Sequence, residues 1–271
     1  MNERDKKGGA HASRKYTVLY VLMVLCVVGM AVFAWLLIRD DREYSRGDAT
    51  YKDIRSAIFA AEPKYKEEGE DGTGEGGAAI GADSESSIDF RALLELNADI
   101  VGWIVGGETI DYPIVQGADN HYYLSHLANH ERNRLGSIFM DQDNQRDFSD
   151  RVTVLYGHNM KDGSMFAALT KYNSQSYYDR FPAMALHLPK GDYEVELFAG
   201  KLMDGNDESA CFGLIDEEGF QSWIDGLRRA STFQSAGVVT PEDRIVVMCT
   251  CSYVDDNARY AVFGRLVPAG D

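Results

Sequence analysis

Hydrophobic and polar positions divide the chain into three parts with different periodicities. Tyr16 to Ile38 is an uncharged run of 23 residues that would be apolar on every face of a helix. At about 1.5 Å per residue such a helix spans roughly 35 Å, enough for a hydrocarbon core of about 30 Å. A cleaved signal peptide has a shorter apolar region, about 7–15 residues, followed by small side chains. This run ends in bulky side chains such as Trp35, so we expect an uncleaved transmembrane anchor at 16–38.

The second part, residues 39–88, is polar and shows only a short periodic stretch. Tyr51, Ile54 and Ile58 recur at roughly helical spacing near its start. Glu67 to Ser87 contains six glycines, seven acidic residues and no basic residue. That composition cannot bury enough apolar surface to order itself. We expect a flexible stalk and linker over 39–88, with a specific acidic docking site as the alternative.

The third part, residues 89–271, carries short β-branched and aromatic runs that are typical of strands. The patterns predict a helix from Phe90 that stops at Asn97, and further helices over 164–169 and 216–230. The predicted strands, each bounded by turn residues, cover 100–105, 109–115, 152–156, 183–187, 193–203, 244–250 and 259–267. Many short strands with few helices indicate a mainly β domain, either a barrel or a sandwich.

Charge narrows the possible functions. The chain has 27 Lys and Arg residues against 43 Asp and Glu residues, a formal net charge of −16. This balance argues against a nucleic-acid binder, which would present a basic face. Five basic residues precede the apolar run, and four follow it interleaved with acidic ones, so the positive-inside signal is weak. Together with the short tail at 1–15, it places the N-terminus in the cytoplasm and the rest of the chain outside.

Two cysteines lie at a predicted strand end. Cys249 and Cys251 close the apolar run RIVVMCTC, immediately before the polar sequence SYVDDNAR. A thiol at a strand end, where a loop begins, is well placed to face a substrate. Cys249 lies deeper in the apolar run, where a buried and unreactive thiol is expected. Half of a metal site is the other interpretation, although the sequence has no second cysteine pair to complete it.

A histidine and an arginine also mark strand ends. His158 ends the apolar run VTVLYGH, and Arg259 begins the last predicted strand, eight residues after Cys251. By position alone, such a histidine is more often structural, and such an arginine is a solvated or paired charge. Beside a thiol, however, an arginine can stabilise an oxyanion or keep the thiol ionised. Three other histidines have a spacing that fits a zinc site only loosely: His121, His126 and His130.

In this order, the three residues resemble the catalytic set of the sortases, the cysteine transpeptidases of the Gram-positive cell surface, with class B the best match. In that family a histidine ends one strand, the nucleophilic cysteine ends another within TLxTC, and an arginine opens the next. The matching sequences here are LYGHNMKDGSMF around His158, VMCTC ending at Cys251, and NARYAVFGRL containing Arg259. NADIVGWIVGGETIDYPIVQGADNHYYLSH and GSIFMDQDN also resemble class B sequences. The resemblance covers about Phe90 to Val267.

The resemblance implies a closed sortase-type β-barrel with a few peripheral helices over 89–271, following the transmembrane helix. Cys251 would attack the threonine carbonyl of a Pro-x-Thr sorting signal, and Arg259 would stabilise the oxyanion. His158 would protonate the leaving amine and deprotonate an incoming peptidoglycan amine. The implied enzyme is a monomer without a cofactor, which joins surface proteins to the cell wall.

Other interpretations stay open at this point. A Cys-His amidase or endopeptidase of the cell wall would use the same residue types, and a pilin-polymerising sortase would use a lysine as the acceptor. A membrane-tethered barrel could instead bind wall polymer without catalysis. The sequence DQDNQRD from Asp141 faintly resembles a calcium loop, but it lacks the glycine and glutamate of positions six and twelve.

Overall fold

The computed structural model describes residues 4–59, 88–204, 217–251 and 258–269. Contacts divide the chain into two compact units, Met1–Asp48 and Ala49–Asp271. The acidic linker expected at 67–87 lies outside the described residues.

The first unit is helical. Helix α1, Arg4–Phe59, contains the span Leu19–Leu36, which has a mean hydropathy of 2.6 and no buried residue. It is the one helix among the described residues that is long and apolar enough to cross a membrane. The span lies within the predicted segment 16–38 and is a candidate membrane anchor.

The second unit begins with the last turns of α1. Tyr51, Ile54 and Ile58 are 5, 7 and 4% exposed, and their spacing of three and four places them on one face of the helix. This apolar stripe belongs to the core of the second unit, although the predicted stalk included it. The second compact unit begins at Ala49, and the catalytic domain predicted at 89–271 lies within this unit.

Within the described residues, eight strands form a closed barrel. In chain order they are β1 Ile100–Gly106, β2 Ile110–Val115, β3 Ile138–Met140, β4 Val152–Gly157, β5 Ala183–Leu188, β6 Gly191–Asp204, β7 Ile245–Cys251 and β8 Ala258–Pro268. Their order around the barrel is β1-β2-β3-β4-β7-β8-β6-β5. The pairs β2–β3 and β4–β7 are parallel, and the other recorded pairs are antiparallel. The predicted mainly β barrel is confirmed.

Short helices surround the barrel. Helix α2, Phe90–Leu96, begins at Asp89, whose carboxylate accepts hydrogen bonds from the backbone N–H groups of Arg91 and Ala92. The remaining described helices are the 3₁₀ turns Tyr122–Leu124 and Phe166–Asn173, α3 Gln175–Arg180 and α4 Glu217–Ala230. The helix predicted at 164–169 is thus a 3₁₀ turn that begins two residues later.

Helix α4 packs on the barrel, chiefly against β6. Phe220, Ile224 and Leu227 recur every three or four residues, are buried, and pack against apolar side chains of β4, β6, β7 and β8. Trp223 adds an edge-to-face contact with Phe263 of β8, with ring centroids 6.0 Å apart. β7 and β8 pair with each other up to the strand ends where the predicted site residues lie.

Candidate active site

The strand register brings the backbones of the three predicted site residues to one end of the barrel. β4 and β7 run parallel, and Gly157 pairs with Thr250, so the next residues along the two strands are His158 and Cys251. β7 and β8 run antiparallel, and Cys251 pairs directly with Arg259. Neighbouring strands lie roughly 4.8 Å apart. The three backbones therefore meet at one edge although up to a hundred residues separate them in sequence.

The two neighbouring cysteines occupy different positions on β7. Cys249 is 1% exposed and belongs to the apolar cluster that contains Ile224 and Phe263. Such surroundings favour an inert thiol, as the sequence predicted. Cys251 is the last residue of β7, and the structure describes only its backbone. The following residues, 252–257, lie outside the described part of the chain.

A backbone carbonyl holds the ring of His158, which is partly buried. Its Nε2 lies 2.7 Å from the carbonyl oxygen of Leu124. Because a carbonyl oxygen can only accept, Nε2 carries the hydrogen in this contact. The other ring nitrogen, Nδ1, is then the atom that can take up and release a proton.

The backbone around His158 is held by close packing. A Cβ at Gly157 would lie 2.7 Å from the Phe166 ring, so a larger residue would push this ring away from the end of β4. The backbone N–H of Phe166 donates to the carbonyl oxygen of His158 at 3.0 Å. Together these contacts fix the direction in which the chain leaves β4.

The loop that supplies the Leu124 carbonyl is built on a buried tyrosine. Tyr123 is fully buried and donates from its hydroxyl to Asp99 at 2.7 Å, while the side-chain amide of Asn97 donates to the same hydroxyl. Burial raises the pKa of Tyr123, so its hydroxyl stays protonated and remains a donor at neutral pH. The loop is thereby fastened to the start of β1.

Two histidines of this loop take part in aromatic and hydrogen-bond contacts. Tyr122 stacks on His126 with ring centroids 4.0 Å apart, and its hydroxyl lies 3.3 Å from His130 Nδ1. His126 Nδ1 lies 2.7 Å from the carbonyl oxygen of Tyr122. In the described part of the chain, no group of three or more His, Cys, Asp or Glu residues is placed to hold a metal ion.

Asp141, where the calcium-like sequence begins, forms hydrogen bonds with protein donors. It is 2% exposed, and its Oδ2 accepts from the Asn120 amide at 2.9 Å and from the Tyr156 hydroxyl at 3.1 Å. Its Oδ1 accepts from the backbone N–H of Asp143 at 2.9 Å. These contacts show a buried carboxylate that organises a turn and orients two polar side chains.

Arg259 is partly buried near the start of β8, between Cys251 of β7 and Met203 of β6. No carboxylate of the described residues forms an ion pair with it. Arg265, on the same strand, instead donates from Nε to Glu196 Oε2 at 2.6 Å.

Sequence reasoning did not identify the Leu124 carbonyl as part of the site. Every residue has a backbone carbonyl, so the sequence contains no signal for this contact. Gly136, in the same loop, has φ +62°, but a glycine in the sequence does not specify which carbonyl it approaches.

Comparisons with known proteins show related sequences. No protein-family model matches the chain. Sortase B of Listeria monocytogenes is 32% identical over 253 residues, which cover 90% of this chain and 95% of that protein. Sortase B of Staphylococcus aureus is 27% identical over 252 residues, which cover 92% of this chain and 96% of that protein.

Solved structures agree in fold as well. A Staphylococcus aureus sortase B–substrate complex has a TM-score of 0.71 and 28% identity, with 84% of this chain and 99% of that chain covered. The similarity therefore extends over the whole barrel and nearly the full length of both curated relatives. The Listeria monocytogenes relative is 32% identical and is covered over 95% of its length. The substrates of this chain are therefore expected to be surface proteins, and its acceptor an amine. We conclude that the chain belongs to the class B sortases and is a cysteine transpeptidase of cell-wall anchoring.

Proposed function

We propose that Cys251, His158 and Arg259 carry out a two-step acyl transfer at the shared end of β4, β7 and β8. The observation that supports this most is the register, which pairs Cys251 with Arg259 and sets His158 beside Cys251. A nucleophile, a proton carrier and a fixed positive charge are the three groups that acyl transfer through a thiol requires.

The first step forms a thioester. The thiolate of Cys251 attacks the carbonyl carbon of the threonine in a Pro-x-Thr sorting signal, and the guanidinium of Arg259 stabilises the resulting oxyanion. The intermediate collapses and breaks the bond between the threonine carbonyl carbon and the next nitrogen. His158 gives the proton on Nδ1 to this leaving amine, because the proton on Nε2 is donated in the hydrogen bond to the Leu124 carbonyl oxygen.

The second step resolves the thioester. A peptidoglycan amine attacks the thioester carbonyl, and Nδ1 of His158 takes up the proton that this amine loses. Arg259 stabilises the second oxyanion, and the thiolate of Cys251 leaves as the new amide bond forms. The residues themselves supply the nucleophile, the proton and the charge, so this mechanism requires no cofactor.

The proposed topology places this reaction outside the membrane. The span Leu19–Leu36 of α1 would anchor the enzyme, with residues 1–15 in the cytoplasm and residues 89–271 as the extracellular catalytic domain. We propose a monomer, because one chain carries all three catalytic groups. In this topology the enzyme meets its substrates as they leave the membrane, before they reach the wall.

An amine-addition assay tests the proposed reaction. The full chain in detergent is incubated with a Pro-x-Thr peptide library, with and without hydroxylamine, and the products are analysed by mass spectrometry. A transpeptidase gives a hydroxamate at the threonine, in an amount that increases with hydroxylamine concentration.

The alternatives give other products. Because hydroxylamine intercepts the thioester of any thiol acyl-enzyme, the hydrolase alternative is tested with a peptidoglycan-derived peptide amine. A cell-wall amidase or endopeptidase would give mainly the cleaved acid with that amine present, and this result would contradict the proposal. A second series replaces hydroxylamine with a peptidoglycan-derived peptide amine and a lysine peptide in competition. Preference for the lysine peptide would move the acceptor assignment to a pilin-polymerising enzyme.

A further inference from the structure

We propose that Tyr51, in the last turns of α1, is a positioning residue that fixes the ring of His158 from outside the catalytic set. This inference rests on the catalytic role proposed for His158. It assigns a function in catalysis to a segment that the sequence pattern places in a stalk.

Tyr51 is anchored in the core of the second unit. Its side chain is 5% exposed, and its ring meets that of Tyr112 in β2 edge to face, with centroids 5.2 Å apart and planes at 87°. One turn later, Arg55 forms an ion pair with Asp111, the residue before Tyr112. Asp111 also accepts a hydrogen bond from the Trp103 indole at 2.8 Å, so this helix end is tied to both β1 and β2.

The Tyr51 hydroxyl reaches the loop that holds His158. It donates to the carbonyl oxygen of Gly136 at 2.7 Å and lies 3.0 Å from the Ser137 hydroxyl. Ser137 in turn donates from Oγ to the carbonyl oxygen of His126 and from its backbone N–H to the carbonyl oxygen of Tyr123. Burial raises the pKa of Tyr51, which keeps its hydroxyl protonated as a donor.

Gly136 connects this hydrogen bond to the histidine. At φ +62° it adopts a conformation that favours glycine. A Cβ on it would lie 2.9 Å from the Leu124 carbonyl oxygen and 3.1 Å from His158 Cδ2. The Cα of Gly136 therefore lies against both the imidazole and the carbonyl that binds its Nε2.

The hydroxyl of Tyr51 thus acts on His158 through one residue. If it is removed, the Gly136 carbonyl loses a donor, and the backbone hydrogen bonds from Gly136 to Asn133 and from Ser137 to Tyr123 remain. Gly136 is then held less firmly against the Leu124 carbonyl and the imidazole. A histidine that is misplaced by a fraction of an ångström transfers protons less efficiently, while binding of the sorting peptide is unaffected. We therefore expect a loss in kcat and not in KM.

The experiment compares Tyr51→Phe with Tyr172→Phe in the full chain. Tyr172 is a matched control, because it is fully buried, contacts another tyrosine edge to face at 4.9 Å, and donates to the carbonyl oxygen of Phe181 at 2.9 Å. The assay uses a reactive Pro-x-Thr peptide with hydroxylamine. Tyr51→Phe should lower kcat about five- to tenfold, the effect of one buried hydrogen bond, with KM unchanged. Tyr172→Phe should keep the kcat of the unmodified chain.

A spectroscopic readout separates positioning from stability. In a chain with ¹⁵N-labelled histidines, the Nε2 proton signal of His158 is identified by its absence in His158→Ala. Tyr51→Phe should shift or broaden this signal, and Tyr172→Phe should leave it in place. Gly136→Ala is the second arm, and it should disturb the same signal because its methyl group would collide with the Leu124 carbonyl.

Several outcomes would overturn the inference. An unchanged kcat and an unchanged His158 signal in Tyr51→Phe would do so, and so would equal losses in the two tyrosine variants that track the melting temperature. If His158→Ala retained full activity, the proposed function would fail instead. The NMR comparison would still show whether Tyr51 positions the ring.

Discussion

The proposed catalytic end of the barrel and the wall formed by β5, β6 and the end of β8 contain the same residue types with different partners. On the wall, Asp192 lies 2.9 Å from His187 Nδ1, and Glu196 binds Arg265. At the catalytic end, the partner of His158 is a neutral carbonyl. Arg259 has no carboxylate partner among the described residues.

The difference suggests that the partner of a charged side chain distinguishes a structural role from a role in the reaction. A carboxylate compensates the charge of its partner, and both side chains then serve the fold. Accordingly, the hydrogen bond to Glu196 raises the pKa of Arg265. A neutral carbonyl instead fixes the orientation of an imidazole and leaves its second nitrogen and its charge for a substrate.

The two histidines provide the largest expected contrast. His158→Ala removes the proton carrier and should lower kcat by about 10²–10⁴, the contribution typical of a general acid–base group. His187→Ala should leave kcat close to that of the unmodified chain and cost at most about 1 kcal/mol of stability, because its pair with Asp192 is partly exposed. Steady-state kinetics and thermal unfolding of both variants check this. Equal losses of kcat would show that the comparison is mistaken.

The two arginines should differ by a smaller factor. Arg259→Lys keeps the charge but loses the forked donor, and we expect a loss of kcat of about 10², within the range for one oxyanion donor. Arg265→Lys should weaken the contact with Glu196 with little effect on kcat. The measurement is the rate of hydroxamate formation at saturating peptide. Full activity in Arg259→Lys would contradict the role given to its guanidinium.

Two threonines should give the smallest effects, in stability. Thr250 Oγ1 is buried beside the site without a hydrogen-bond partner among the described residues. Thr250→Val should therefore stabilise the chain by about 1 kcal/mol and raise its melting temperature by roughly 2–4 °C. Thr232 Oγ1 lies 2.6 Å from the Tyr260 hydroxyl, and Thr232→Val should destabilise the chain by about 1 kcal/mol. A lower melting temperature for Thr250→Val would show that this hydroxyl has a partner.

Much of the barrel could be predicted from the sequence because most of its strands are β-branched and aromatic runs bounded by turn residues. All seven predicted strands are present, each with ends within two residues of those expected. β3 was missed because Ile138–Met140 is too short to show an alternation. Periodicity alone could not distinguish a barrel from a sandwich. The resemblance to sortases predicted the closed barrel.

The packing of the end of α1 and the support of His158 could not be predicted. The stripe of Tyr51, Ile54 and Ile58 is short and precedes an acidic linker, so its composition resembled a solvated stalk. The contact between Leu124 and His158 depends on a backbone atom, for which no residue type is specific. Sequence patterns report which side chains are buried, but not which backbone atoms orient a catalytic group.

The most direct test of the central claim is mass spectrometry of the acyl-enzyme formed with a Pro-x-Thr peptide in the absence of an added amine. The full chain, Cys249→Ser and Cys251→Ala are compared, and the adduct is located by fragmentation of the peptide that contains both cysteines. The account predicts a thioester on Cys251 in the full chain and in Cys249→Ser, and no adduct or product in Cys251→Ala. An adduct on Cys249, with activity retained in Cys251→Ala, would contradict it.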